Sequence, residues 1–467
     1  MSKFHLNAKG EAGKCRAAKG KCPFGSVDEH YDTPEAARKA YEVRMEISSD
    51  SLNKEISIVP LSALADPEAF AKAIDQGLIS ERAHPDDSNL RVYSYTKAVQ
   101  YSGMWTPETL LARGLILNLP DGDLLKAEVV GRGLPKFFTV EQMAEGDWTR
   151  VKLVDDDEGV TVSEAPEISW DAPAVVSEKM NGALGLAYVA PDGGISISTK
   201  GSFSSLEAEV GTELIRKLSP EQQKEFAALA LEGKTPLFEI ITPQRPHPVV
   251  YGDREELVLL GSIDNGTGHW SPSEDNTELA QRFGFQSSEQ LQYANLAEAV
   301  RAPYRQNTEG FVVTVAGAKG QELYKVKPPE YHALRKFFYA STPKELATNF
   351  TKLSGKELSS IASRDSIDFP DELVGSLAKD SPLIADRKRI AYDELIAPVQ
   401  KSAKEAQAKV DAIVKELGIG HGRRELAEAI NKEPQEQRGL LFKAYQDIET
   451  GGHSVYEAAR TMIFKSL

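Results

Sequence analysis

Cysteine is nearly absent: Cys15 and Cys22 are the two in 467 residues. A disulfide framework needs more than that, so none is expected. Long apolar runs are missing as well. No stretch approaches the roughly 18–20 residues of a helical membrane span, and no apolar signal region follows the start. These absences lead to the expectation of a cytoplasmic protein. Aromatic residues stand at 8%, against 41% hydrophobic and 27% charged, a balance that suits chains folding around ordinary cores. At this length about three domains are expected.

Positive charge is in deficit. The net charge of −15 removes any global electrostatic case for a polyanionic partner. The deficit is local, however. Residues 31–330 carry 28 Lys/Arg against 47 Asp/Glu, residues 331–467 carry 21 against 20, and residues 1–30 carry 6 against 3. A cleft can be basic inside an acidic body, so individual residues must carry the case.

The stretch that does so is SEKMNGALG, residues 177–185. Lys179 precedes an Asn181-Gly182 pair that reads as a tight turn, and the apolar runs on either side read as strands. A lysine fixed at a strand end and open to a cleft can act as a nucleophile. An amine attacks only when neutral, and the ordinary lysine pKa of about 10.4 leaves few neutral molecules at pH 7. Neighbouring cations or desolvation would have to lower it. By itself K-x-N-G is unspecific, and a lysine on a surface hairpin is the bland alternative.

The rest of the chain supplies those cations. Residues 1–26 are basic and rich in Gly and Lys; they form a flexible leader, or His5, Cys15, Cys22 and His30 fold it around zinc, with a C-x6-C spacing looser than the usual finger pairs. Thr33-Pro34-Glu35 and Asp66-Pro67-Glu68 open helices in an appendage ending near residue 87. From about residue 90 short β-rich runs place Arg113, Arg132 and Lys136 at strand ends or turns, and Asp155–Glu164 reads as a solvated acidic loop. A PDGG turn at 191–194 closes a hairpin whose second strand brings Lys200 near the end of the sheet that holds Lys179. PLFEII carries Glu239 inside an apolar run, where an unpaired carboxylate would be costly. TEGFVVTV puts Glu309 at a strand start. In ELYKVKPPEY the strand period of two points Lys325 and Lys327 to one side.

Taken in order, LLARGLIL, GRGLPKFF, EKMNG, STKGS, FEIITP with VVY and LVLLGSIDNGTG, EGFVV and KVKPPEY resemble the covalent nucleotidyltransferases. Within them they are similar to the bacteriophage-type RNA ligase 1 family, over residues 90–335. The resemblance implies an α+β fold: a nucleotidyltransferase (ATP-grasp-like ligase) domain of antiparallel sheets with helices over 88–335, after the appendage 1–87. It implies Lys179 as the AMP-accepting nucleophile, with Glu178, Asn181 and Gly182 completing its motif. Glu239 would hold the ribose, Glu309 would act on Mg²⁺ or nucleotide, and Lys325 and Lys327 would contact phosphates. Arg113, Lys136, Phe138, Lys200 and Tyr331 also fall on the family's functional positions. ATP and Mg²⁺ (or Mn²⁺) are the implied cofactors. RNA with 5′-phosphate and 3′-hydroxyl ends, tRNA included, is the implied partner. One departure stands out: Asn181 occupies a position where the family commonly has Asp.

Residues 336–467 read as an all-α domain, a bundle with a break near Pro398 and a glycine stop at Gly418. Its apolar stripes are core on the bland reading and part of an RNA-specificity module on the functional one. Arg387, Lys388 and Arg389 read as a solvated face. DNA ligases and mRNA-capping enzymes share the lysine motif but usually continue into a β-rich OB domain. A nucleotide- or RNA-end-binding protein without catalysis is the remaining alternative, made conceivable by Asn181.

Overall fold

The strand Ala183–Val189 is apolar on both faces, as a strand covered on both sides must be. It lies in an antiparallel sheet of order Ile195–Thr199, Ala183–Val189, Lys234–Ile241, Glu256–Asp264 and Trp270–Ser271, with Gln286–Ser287 running parallel to the fourth of these. One face, with Ala187, Ile197, Phe238 and Ile240, packs against Ile215, Phe226 and Phe283 from the helices Leu206–Ile215, Pro220–Leu231 and Glu274–Phe283. The other face, with Leu186, Tyr188 and Leu237, packs against Val92 and Ile116 of a second sheet. That sheet is antiparallel, in the order Ile79–Ala83, Leu90–Tyr95, Arg113–Asn118 and Glu128–Gly131. A third sheet has the order Gln290–Leu291, Ala174–Glu178, Phe311–Gly317, Gly320–Val326 and Phe138–Thr139. Its core is rich in valine: Val176, Val313, Val315 and Val326 meet Met143 and Leu296.

This computed structural model describes residues 4–6, 12–14, 33–38, 58–144, 152–155, 159–162, 168–272, 274–303, 305–317, 320–418, 420 and 422–465. The chain divides into two units, Met1–Pro246 with Tyr251–Lys327, and His247–Val250 with Pro328–Leu467. The expected boundaries at 87 and 335 are both displaced. The first falls inside one sheet, because Ile79–Ala83 pairs with Leu90–Tyr95 and Leu61 and Phe70 share a core with Tyr93 and Leu115. The second moves back to Lys327, where the last strand gives way to Pro328-Pro329. The stretch expected as an acidic loop holds a hairpin instead, Lys152–Asp155 against Gly159–Val162; its β-branched residues outweigh its charge. His5 lies on the strand Phe4–Leu6, whereas Cys15, Cys22 and His30 lie outside the described residues.

The second unit is helical. In its longest helix, Ala397–Leu417, Val399, Ala403, Ala406 and Val410 form one apolar stripe that meets Leu441, Ala444, Val455 and Ala459. Pro398 does not break the chain's course as expected. A wide π turn over Ala391–Ile396 joins the helix Pro382–Ile390 to the long one and absorbs the missing N–H and the bulk of the ring. The basic trio is also not a uniform solvated face. Arg387 is buried over the ring of Phe338 at 4.5 Å, while Lys388 and Arg389 turn to Asp368 and Asp386. Among the described residues no helix is long and apolar enough to cross a membrane.

Candidate active site

Lys179 stands where the chain passes from the third sheet to the first. The strand Ala174–Glu178 ends in the third sheet and Ala183–Val189 begins in the first, so Lys179–Gly182, expected as a tight turn beside a strand end, is a crossing between sheets, and the bland alternative of a surface hairpin does not hold. Each of its steps is fixed. The Lys179 N–H donates to the Gly310 carbonyl at 2.8 Å, and Met180 is buried against Ile241 and Val258. The Asn181 N–H donates to Tyr251 Oη at 3.0 Å, and the Gly182 N–H donates to Glu239 Oε1 at 2.7 Å. Glycine at 182 supplies room rather than a left-handed turn. A Cβ there would lie 2.4 Å from the Ile240 carbonyl oxygen, and its φ is not positive.

The charges meet at Glu309, which is 4% exposed. Its Oε2 lies 3.0 Å from Lys179 Nζ and its Oε1 lies 2.7 Å from Lys327 Nζ. Asn181 Nδ2 donates to Oε2 at 2.6 Å. Burial works to raise this carboxyl, but the two ammonium groups outweigh it and hold it at about 2. The departure at 181 has a physical reading here: an aspartate would set a second carboxylate against Glu309, whereas the amide donates to it. Glu239, 7% exposed, is pushed up by burial, against the pull of Lys179. Burial likewise raises Glu178.

The other cations have no such anion. Lys325 Nζ donates to the Phe137 carbonyl at 3.0 Å and sits 4.2 Å from that ring. Burial, then Arg113 and Lys179, push its ammonium well below the usual lysine range. Lys136 is lowered to about 8 by burial, then by Arg113 and Lys200. It lies among the rings of Tyr95, Trp105 and Phe138 and donates to Gln100 Oε1. Lys200 lies 4.4 Å over Tyr95, and Arg113 donates to the Leu134 carbonyl. Among the described residues none of these four pairs with a carboxylate. The alternation expected from the sequence holds: Lys325 faces the cleft, while Tyr324 and Val326 face the valine-rich core.

These side chains surround a cleft of about 600 Å³. Lys179, Glu178, Gly182, Arg113, Lys200, Glu239, Glu309, Lys325 and Lys327 line it. Asn181 lies behind Glu309, and Lys136 and Phe138 stand behind the lining in the aromatic cluster. Phe137, not singled out from the sequence, lines the cleft where its neighbour Phe138 was expected to act; the paired aromatics left open which ring faced in. Tyr95 and Tyr251 were also missed, since neither strand pattern nor spacing marks them. Tyr331 belongs to the second unit, on the helix Pro329–Ala340. Arg132 donates to the Asn265 carbonyl elsewhere in the first unit and does not line the cleft. Among the described residues no group of three or more His, Cys, Asp or Glu could hold a metal. The ionised oxygens of Glu309 suit a hard cation held mainly by phosphate oxygens and water rather than a protein cage.

Fold and site together define a class: antiparallel sheets around a cleft lined by lysines and arginines, with a lysine on a fixed crossing between them. Residues 111–341 match the profile of the RNA ligase family, phage RNA ligase 1 type. A candidate RNA ligase of Thermovibrio ammonificans is 28% identical over 230 residues, 49% of this chain and 53% of that protein, so the chain spans about half the length of that curated relative. Among solved structures, an archaeal ATP-dependent RNA ligase is similar at 16% identity and a TM-score of 0.38, over 73% of this chain and 79% of its own. A candidate ATP-dependent DNA ligase from Aquifex aeolicus is similar at 12% identity and a TM-score of 0.37, over 83% and 99%.

Proposed function

We propose that the protein is an ATP-dependent RNA ligase that joins 5′-phosphate and 3′-hydroxyl ends through a lysyl-AMP intermediate on Lys179. One observation carries this reading. Lys179 shares a buried carboxylate with Lys327 in a cleft whose other cations lack carboxylate partners among the described residues, an arrangement suited to a polyphosphate. The match of residues 111–341 to the RNA ligase profile supports RNA as the substrate, and repair of broken RNA, tRNA included, is the setting we infer.

In the first step the Lys179 amine, its proton lost, forms a bond to the α-phosphorus of ATP as the bond to pyrophosphate breaks. Glu309, held at about 2, is a poor proton acceptor, so its role is to orient the amine. Lys325, Lys327, Arg113, Lys136 and Lys200 neutralise the triphosphate, and Glu239 offers an acceptor to a ribose hydroxyl. Leu184, Leu260 and Val312 give the cleft apolar walls that suit a base. Mg²⁺, arriving with the nucleotide, would neutralise charge on the departing pyrophosphate, with Glu309 as its protein ligand. In the second step a 5′-phosphate oxygen takes the adenylyl group and the N–P bond breaks, returning the amine. In the third a 3′-hydroxyl, losing its proton, attacks the activated phosphate and AMP leaves.

The test is incubation with α-labelled ATP and Mg²⁺, followed by 5′-phosphorylated RNA or DNA. Label on the unaltered protein, its absence from Lys179→Ala, and its passage to RNA are expected. Label retained without any joined product would favour a binding protein, and preference for DNA would favour a DNA ligase.

A further inference from the structure

Arg82 is a cation at the cleft that lies outside the stretch matching the family profile. It sits on the edge strand Ile79–Ala83, opposite Val92, and lines the cleft. It is exposed, and among the described residues it has no carboxylate or hydrogen-bond partner. The strand period of two puts Arg82 and Ser80 on the face that carries Val92 and Ser94. That face looks onto the Lys200 turn, because a Cβ on Gly201 would lie 3.5 Å from Ser94 Cβ. Lys200 itself lies over Tyr95, the next residue along. The turn leads into the helix Leu206–Ile215, whose cap Ser205 also lines the cleft.

Here two cations and the positive end of a ten-residue helix converge at one end of the cleft. Such an end stabilises phosphate oxygens through its free N–H groups and aligned dipoles. Glu207, in the first turn of the helix, also lines the cleft, and its carboxylate is paired with Arg245 at 3.3 Å. Among the described residues neither Arg82 nor Lys200, both of which line the cleft, is paired with an acid, and an anion placed between two such cations is favoured.

We propose that Arg82, Lys200 and the start of the helix Leu206–Ile215 form an outer phosphate site that takes a terminal phosphate group. The site rests on the ligase reading, which offers two sources for that group: the γ-phosphate of ATP and the 5′-phosphate of the strand to be joined. Arginine suits either, because its planar fork can hold two oxygens of one phosphate.

The experiment compares the full-length protein with Arg82→Ala and Arg82→Lys in two separate reactions. The first is formation of the protein–AMP adduct, followed as a function of ATP concentration. The second is single-turnover transfer of AMP from pre-adenylylated protein to a 5′-phosphorylated oligoribonucleotide, followed as a function of strand concentration. Arg82→Ala is expected to raise the half-saturating concentration in one of these about five- to tenfold, and Arg82→Lys to restore part of it. A shift in the first reaction assigns the site to ATP, and a shift in the second assigns it to the strand. If the unaltered protein forms the adduct and neither concentration moves in Arg82→Ala, the outer site is wrong and the ligase reading stands. If the unaltered protein forms no adduct, both fall.

Discussion

At position 309 one buried carboxylate serves two ammonium groups and an amide. Glu309→Gln removes the charge and leaves Lys179 and Lys327 facing each other. Loss of one partner of a buried pair of this kind costs about 3–5 kcal/mol, so a lower melting temperature is expected at neutral pH. The sign of the pH dependence follows from the depressed carboxyl. Its stabilisation is complete above the unfolded carboxylate range, near ~4.3, and is lost as pH falls toward about 2. The gap in melting temperature between the two proteins should therefore narrow through that window; a gap that is constant with pH would contradict the ion-pair assignment. Lys136 and Lys325 give a second prediction. Both are held below the usual lysine range by burial and by neighbouring cations. A triphosphate beside them favours their charged forms, so ATP binding near pH 8 should take up protons. Calorimetry in buffers of different ionisation enthalpy measures that uptake directly, and binding with no proton exchange would show that these amines do not meet the phosphates.

At the scale of elements, the sequence made the ingredients of the site legible and left its joinery hidden. The alternation in ELYKVK put Lys325 on the cleft side, and a glutamate inside PLFEII marked a buried carboxylate, because strand period and the cost of burying charge are local rules. The link Lys179–Gly182 reads as a tight turn because Asn-Gly between apolar runs is a turn signal; its two strands in fact join different sheets, which only long-range pairing decides. The same limit hid the pairing of Ile79–Ala83 with Leu90–Tyr95, placing a domain boundary where none exists. Phe137, Tyr95 and Tyr251 were missed because an aromatic ring in a half-buried run gives no sign of which cation or backbone group it will meet. The crossing itself can be tested. Gly182→Ala would drive a methyl group to within 2.4 Å of the Ile240 carbonyl oxygen, forcing the crossing away from the strand Lys234–Ile241 at a cost of roughly 2 kcal/mol or more. Both the melting temperature and the rate of adduct formation should fall. Adduct formation at the unaltered rate would mean that the crossing tolerates movement and does not fix the lysine.

For the molecule as a whole, the net charge of −15 conceals a cleft lined by Arg113, Lys200 and Lys325, with Lys136 behind them, and among the described residues none of the four has a carboxylate partner. That contrast explains why bulk composition argued against a polyanionic ligand while individual residues argued for one. The central claim is that Lys179 carries adenylate, and intact-protein mass spectrometry after incubation with ATP and Mg²⁺ tests it most directly. The expected result is a mass gain of one adenylyl group, mapped to the peptide that contains Lys179 and released by acid. An unchanged mass, or an adenylyl group on another residue, would contradict the account.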